Sequence, residues 1–325
     1  MRQPATDFAA LELETMLDAV EAALDRSLVG FAQPLPSYIN RVYELQAADE
    51  TRFIAKFYRP GRWTAAALAD EHRFILDCAA AEIPVVAPLR LQNGATLGHV
   101  QGIAFAVYPK RSGRVFEAVA DEDWRRLGRI IGRLHAVGSR TTAEHRTVLL
   151  PAESTARCVA HLHEGGFVPP RSLQRFRTVT AAILQAITPA FAGCRLIRVH
   201  GDCHRGNIMD RIGEGLLLID FDDMAMGPPV QDLWMLLPDR PSRCPRELEL
   251  ILDGYRTFSE FPAHSVALIE PLRAMRMLYF LAWCSRQVDD LAFTRNFPDW
   301  GTDAFWRREL DDLEAQLDEI TGAFS

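Results

Sequence analysis

Paired cysteines are missing from this sequence. Its six cysteines, Cys78, Cys158, Cys194, Cys203, Cys244 and Cys284, form no CxxC pair and no framework spacing, which excludes a disulfide scaffold and reads as reduced thiols of the cytoplasm. An excess of basic charge is missing too. The net charge of −7 repels polyanions, so neither nucleic acid nor an anionic membrane is expected as a partner. No stretch reaches the length and purity of a membrane span, although residues 275–283 are densely apolar. The first residues alternate apolar with acidic side chains instead of presenting a basic segment and an apolar run, so no signal peptide is expected. These absences lead to the expectation of a soluble, cytoplasmic chain; a monomer is expected separately.

What is present suffices for two cores. A length of 325 residues exceeds the size at which one core keeps growing, and 48% apolar residues can fill a second, so two lobes sharing a cleft are expected. Leu13, Leu17, Val20, Leu24 and Leu28 recur at helical spacing over residues 11–29, an amphipathic helix capping the first lobe. After the breaker Gln33-Pro34-Leu35-Pro36-Ser37, residues 38–45 (from Tyr38) and 52–58 alternate as antiparallel strands, with a hairpin tip at residues 48–50. Thr64 caps a helix over residues 65–81, with Leu68, Glu71 or His72, Ile75 and Ala79 on its inner stripe. Residues 103–108 read as a buried strand ending at Pro109, which places a hinge between lobes at residues 107–109. Helices are expected from Asp121 to near Gly138 and over residues 153–164, 173–187 and 233–237, followed by a core stripe of Leu272, Met275, Leu278, Tyr279 and Ala282. His135, within the first of these, reads as a packing or surface residue. The expected fold class is α+β: a first lobe built on an antiparallel sheet over residues 1–108 and a mainly helical second lobe over residues 109–325.

The chemistry concentrates in His200-Gly201-Asp202-Cys203-His204-Arg205-Gly206-Asn207 and in Leu216-Leu217-Leu218-Ile219-Asp220. A carboxylate, an amide oxygen five positions on and a second carboxylate after an apolar strand are what magnesium-assisted phosphoryl transfer requires. Asp202 suits the orientation of a hydroxyl towards a γ-phosphate, and Asn207 and Asp220 suit Mg2+; Asp220 thereby belongs with Asp202 in the catalytic set. The rival reading of His200, Cys203 and His204 as zinc ligands lacks a second Cys or His pair at ligand spacing. Lys56 stands inside the apolar strand Phe53-Ile54-Ala55-Lys56-Phe57-Tyr58 and Glu71 near the buried edge of the next helix. Such a pair holds the α- and β-phosphates of ATP in kinases. Separately, each has a bland alternative, a snorkelling strand lysine and a solvated helix carboxylate. The hinge backbone is then expected to meet the adenine ring. Only a few residues separate Asp220 from Gly227-Pro228-Pro229, which leaves no room for a long activation segment. Asp232 is read either as an acceptor for N–H groups of the Asp202 loop or as the cap of its own helix.

HGDxHxxN with IDxD resembles the aminoglycoside phosphotransferase-like branch of the protein-kinase fold. Beyond that cluster, Ser37-Tyr38-Ile39-Asn40-Arg41-Val42-Tyr43, Lys56-Phe57-Tyr58-Arg59-Pro60, Arg62-Trp63-Thr64, Gln231-Asp232-Leu233-Trp234-Met235-Leu236-Leu237 and Glu270-Pro271-Leu272-Arg273-Ala274-Met275-Arg276 resemble the bacterial stress response kinase A (RdoA) family of Ser/Thr protein kinases, over nearly the whole chain. The resemblance implies Asp202 as proton acceptor, Asn207 and Asp220 as magnesium ligands, and Ser37 as an ATP contact. Residues 35–41 stand where a glycine-rich loop covers phosphates yet contain no glycine, so the Ser37 hydroxyl and nearby N–H groups would replace close backbone approach; the alternative for Ser37 is a turn that starts the strand.

The expected function is therefore transfer of the γ-phosphoryl of ATP, with Mg2+, to Ser/Thr hydroxyls of proteins in a stress response. Two rivals stand beside it: a small-molecule alcohol kinase acting on an aminoglycoside-, choline- or homoserine-like acceptor, and a nucleotide-binding regulator without turnover. Arg273, Arg276 and Arg286 on the late helices suit an anionic partner, or else a solvated face and structural ion pairs.

Overall fold

Alternating apolar residues build the first lobe. The computed structural model describes Phe8, residues 11–37 and residues 39–323; Tyr38, where a strand was expected to begin, lies outside the described residues. Helix α1 (Leu13–Leu24) stops at Asp25, whose left-handed φ of 53° turns the chain. Leu28 accordingly opens a strand, β1 (Leu28–Pro34), instead of prolonging the helix to residue 29. β1 pairs with β2 (Arg41–Ala47), and β2 with β3 (Arg52–Phe57). Helix α2 (Ala65–Ala80), β4 (Gly98–Val100) and β5 (Ile103–Pro109) complete a five-stranded antiparallel sheet ordered β1-β2-β3-β5-β4.

The two-residue period of β3 sorts its side chains by face. Phe53, Ala55 and Phe57 are buried with Met16 and Val20 of α1, and Lys56 falls on the opposite face. The buried stripe of α1 is rotated from the one expected, since Met16 and Val20 are covered while Leu13 is 41% exposed. Thr64 caps α2 as its sequence requires, its Oγ1 accepting the Ala67 N–H at 3.1 Å. The helix then serves two cores: Leu68 packs with Tyr58 and Ala106, while Phe74, Ile75 and Cys78 enter the core of the second lobe. Strand bonding extends beyond the expected hinge at residues 107–109. The Val107 carbonyl accepts the Leu89 N–H at 2.7 Å, and the Lys110 N–H still donates to the Arg52 carbonyl at 3.0 Å.

The second lobe comprises β6 (Arg114–Val115), α3 (Asp121–Gly138), α4 (Ala156–Glu164), α5 (Pro170–Ile187), β7 (Ile197–Val199), β8 (Ile208–Arg211), β9 (Gly215–Leu218), β10 (Ala225–Gly227), α6 (Gln231–Trp234), α7 (Pro245–Arg256), α8 (Ile269–Ser285), α9 (Leu291–Asn296) and α10 (Asp303–Ala323). Its core joins Leu127, Ile131 and Leu134 of α3 to Phe176, Leu278 and Trp306. α3 lies tight on α7: a Cβ on Gly128 would fall 1.9 Å from the Ile251 carbonyl oxygen, so only glycine permits this approach. The Asp202 loop and Asp220 leave two separate small sheets, since β7 pairs with β10 while β8 pairs with β6 and β9. His200 ties them together, its Nε2 lying 2.9 Å from the Ile219 carbonyl oxygen. No helix among the described residues is long and apolar enough to cross a membrane.

Candidate active site

Where β7 ends, the backbone of His200 and Gly201 is clamped before it delivers Asp202. Gly201 has a φ of +85°, and a Cβ there would fall 2.0 Å from the Asp223 carbonyl oxygen. Glycine is thus a steric requirement at the position next to Asp202. Asp232 accepts the His200 N–H at 2.7 Å and the Gly201 N–H at 2.9 Å, while Gln231 donates Nε2–H to the Gly201 carbonyl at 2.9 Å. Asp232 is already inside α6, whose N-cap position is Val230, so of its two readings the structure takes the one in which it holds the loop. Burial raises the Asp232 carboxyl, but the hydrogen bond from His135 and the nearby imidazoles hold it below the usual carboxylate range. His135 Nε2 lies 2.9 Å from Asp232 and its Nδ1 lies 3.0 Å from the Tyr255 hydroxyl. The histidine read as packing therefore positions the loop through Asp232.

Asn207 closes the same loop. Its Nδ2–H donates to the Asp202 carbonyl at 2.9 Å, which leaves the amide oxygen for a hard cation. Asp220, after β9, adopts a φ of 60°, a left-handed conformation that aspartate tolerates better than most residues. Its side chain is 54% exposed, and its Oδ1 lies 3.1 Å from Lys56 Nζ. An amide oxygen and an exposed carboxylate suit magnesium, which takes oxygen ligands and shares its remaining positions with water and phosphates.

From the first lobe, the turn between β1 and β2 overhangs these groups. Pro36, Ser37, Ile39 and Asn40 line a cleft of about 330 Å³ together with Asp202, Asn207 and Asp220. Ser37 Oγ accepts the Asn40 N–H at 3.2 Å, so the serine makes the turn that was the alternative to phosphate contact and also faces the cleft. Lys56 bridges Asp220 and Asp222, lying 3.0 Å from Asp222 Oδ1. Burial would lower the Lys56 ammonium, but Asp220 and Asp222 hold it well above the ordinary lysine range.

The expected ion pair of Lys56 with Glu71 is not formed. Glu71 is buried behind the cleft, and its Oε2 lies 3.4 Å from Arg146 Nη1. Arg146 is itself buried, donates Nε–H to the Met224 carbonyl at 2.7 Å and Nη2–H to the Asp222 carbonyl, and lies over the Trp63 ring at 3.8 Å. Burial pushes the Glu71 carboxyl up to about 8, against the pull of Lys56 and Arg146. The carboxylates that take the lysine are Asp220 and Asp222; Asp222 Oδ2 also lies 2.7 Å from Arg62 Nη1 and 3.3 Å from Asn40 Nδ2. Burial opposes ionisation of Asp222, yet Lys56 and Arg62 hold it far below the usual carboxylate range.

Asp222, Arg62, Asn40 and Arg146 were not singled out from the sequence as site residues. The second carboxylate of IDxD and the Arg62-Trp63-Thr64 string were the available signals for the first two; Arg146 had none. Arg276, noted only for a possible anionic partner, donates Nη2–H to Asp202 Oδ1 at 2.6 Å. The alternative zinc reading loses Cys203, which is fully buried in the core.

Comparison with known proteins fits this geometry. The model of the phosphotransferase enzyme family, APH, matches residues 32–268. Stress response kinase A of Escherichia coli (strain K12) is 39% identical over 310 residues, covering 95% of this chain and 93% of that protein. Serine/threonine protein kinase RdoA of Salmonella typhimurium is 39% identical over 313 residues, with the same coverage. Among solved structures, amicoumacin kinase hAmiN in complex with AMP-PNP, Ca2+ and Ami superposes with a TM-score of 0.72 at 18% identity, over 94% of each chain. A microcompartment-associated aminopropanol kinase gives a TM-score of 0.70 at 16% identity, over 96% of this chain and 98% of the other. The antiparallel first lobe and the helical second lobe are those of an APH-like kinase, a phosphotransferase with an alcohol acceptor, and the chain belongs to the phosphotransferase enzyme family and within it to the stress response kinase A (RdoA) family.

Proposed function

We propose that the chain transfers the γ-phosphoryl group of ATP to Ser/Thr hydroxyls of proteins as part of a stress response. The observation that carries this reading is the 39% identity over 95% of the chain to relatives named stress response kinase A and serine/threonine protein kinase RdoA. In this reading residues 1–108 form the lobe that holds the nucleotide phosphates, through Lys56 and the Ser37 turn, with Glu71 supporting them through Arg146. Residues 109–325 form the lobe that carries Asp202, the metal ligands and the acceptor site. Asp202 takes the hydroxyl proton as the acceptor oxygen bonds to the γ-phosphorus. The bond to the bridging oxygen breaks, and its electron pair leaves with ADP. Asn207 and Asp220 would hold Mg2+, which would supply neutralisation of charge on the phosphate oxygens.

A protein acceptor is favoured over an amino alcohol because Arg276 stands at Asp202, where a cationic acceptor would meet repulsion. The presence of Lys56, Asp202, Asn207 and Asp220 together favours turnover over passive nucleotide binding. We further infer a cytoplasmic chain, in keeping with six free cysteines, and propose that it acts as a monomer. The test is incubation with labelled ATP and magnesium, offering generic protein substrates beside a panel of amino alcohols. Label on protein is expected. Label confined to the alcohols would overturn the reading.

A further inference from the structure

We propose that Arg276 is the acceptor-recognition residue of the cleft and selects a protein Ser or Thr hydroxyl that is flanked by an Asp or Glu side chain. This rests on the protein-acceptor reading above and adds the class of sequence. Arg276 projects from α8 with its side chain 31% exposed, and its Nη2 lies 2.6 Å from Asp202 Oδ1. The other charges around it have their own partners. Arg62 lies 2.7 Å from both Asp222 and Asp223, and Asp223 also accepts the Tyr279 O–H at 2.8 Å. Lys56 bridges Asp220 and Asp222. His204 Nε2 is 3.7 Å from Asp202 Oδ2. On α8 itself, Arg273 pairs with Glu270 and lies over the Trp234 ring.

Arg276 therefore occupies the carboxylate that has to accept the hydroxyl proton. A guanidinium hydrogen-bonded to Asp202 Oδ1 competes with the acceptor hydroxyl for that oxygen. An acceptor carrying its own carboxylate next to the hydroxyl supplies a replacement anion, and guanidinium pairs with carboxylate in charge-assisted, bidentate fashion. Drawing Arg276 across frees Asp202 at the moment an acceptor is in place. The same helix supplies a surface for the peptide chain: Tyr279, Phe280 and Trp283 line the cleft, and the Phe280 and Trp283 rings stack at 5.9 Å.

The test uses peptides identical except for Asp, Ala or Lys beside one serine, phosphorylated with labelled ATP and magnesium by wild type, Arg276→Glu and Arg276→Lys. The wild type is expected to prefer the Asp peptide over the Lys peptide by about tenfold or more in kcat/KM, the scale of one charge-assisted hydrogen bond. Arg276→Glu should invert that ratio, and Arg276→Lys should keep its direction. If Arg276→Glu lowers kcat on every peptide alike and leaves the ratio unchanged, the arginine only holds Asp202 and the inference fails. If the wild type labels amino alcohols and none of the peptides, the protein-acceptor reading itself falls.

Discussion

Lys56 Nζ lies 3.0 Å from Asp222 Oδ1, and both side chains are nearly closed to solvent, at 12% and 9% exposure. The pair joins the central strand of the first lobe to the segment that follows Asp220, and Arg62 completes it from the other side. Removing one member of such a buried cluster strands the charge of the others.

Asp222→Asn should therefore lower stability at neutral pH by about 3–5 kcal/mol. The sign of its pH dependence follows from linkage. The Asp222 carboxyl is depressed in the folded state, so its contribution is fully present above the unfolded value of about 4 and fades as pH falls below it. Denaturant unfolding of both proteins from pH 7 to pH 3 should show the gap narrowing on the acid side. A constant gap would remove Asp222 from the ion cluster.

Lys56→Ala tests the proposed contact of this ammonium with the nucleotide phosphates. We expect kcat/KM for ATP to fall by about 100-fold, on the scale of losing one preorganised donor, through a higher KM or a lower kcat. Wild-type kinetics would reduce Lys56 to a strand lysine.

Asp220→Ala should weaken binding of the magnesium nucleotide. The expected loss exceeds the roughly 10- to 100-fold typical of removing a partner one shell further out. A magnesium titration followed by nucleotide fluorescence measures it, and unchanged affinity contradicts the ligand assignment.

Asp232→Ala should act at a distance, because Asp232 touches the loop backbone and not the cleft. Releasing the His200 and Gly201 N–H groups lets Asp202 drift, and a displacement of about 1 Å is enough for a 100-fold loss of kcat. Nucleotide affinity should change little. Equal losses in affinity and kcat would indicate general unfolding of the loop instead.

The sequence made the local parts of this site legible. Asp202, Asn207 and Asp220 follow from a short loop and an apolar strand, and they reach one cleft. Lys56 was visible because a charge interrupts an alternating strand, and its opposite-face position follows from the two-residue period. Glu71 was correctly placed on the inner face of α2, but its partner was not legible: Arg146 is 75 residues away and reaches it only through tertiary packing. His135 and Asp232 are 97 residues apart, so no spacing rule connects them. The error at the N-terminus had a local cause. Leu28 continues a helical period on paper, whereas the left-handed turn at Asp25 ends the helix and starts β1.

Whether Asp202 is the proton acceptor is decided by turnover of Asp202→Ala at saturating ATP and magnesium, measured beside nucleotide affinity on the same preparation. Phosphoryl transfer is expected to fall by about 100- to 10,000-fold, the usual contribution of a positioned base, with ATP still bound. Undiminished turnover would contradict that role.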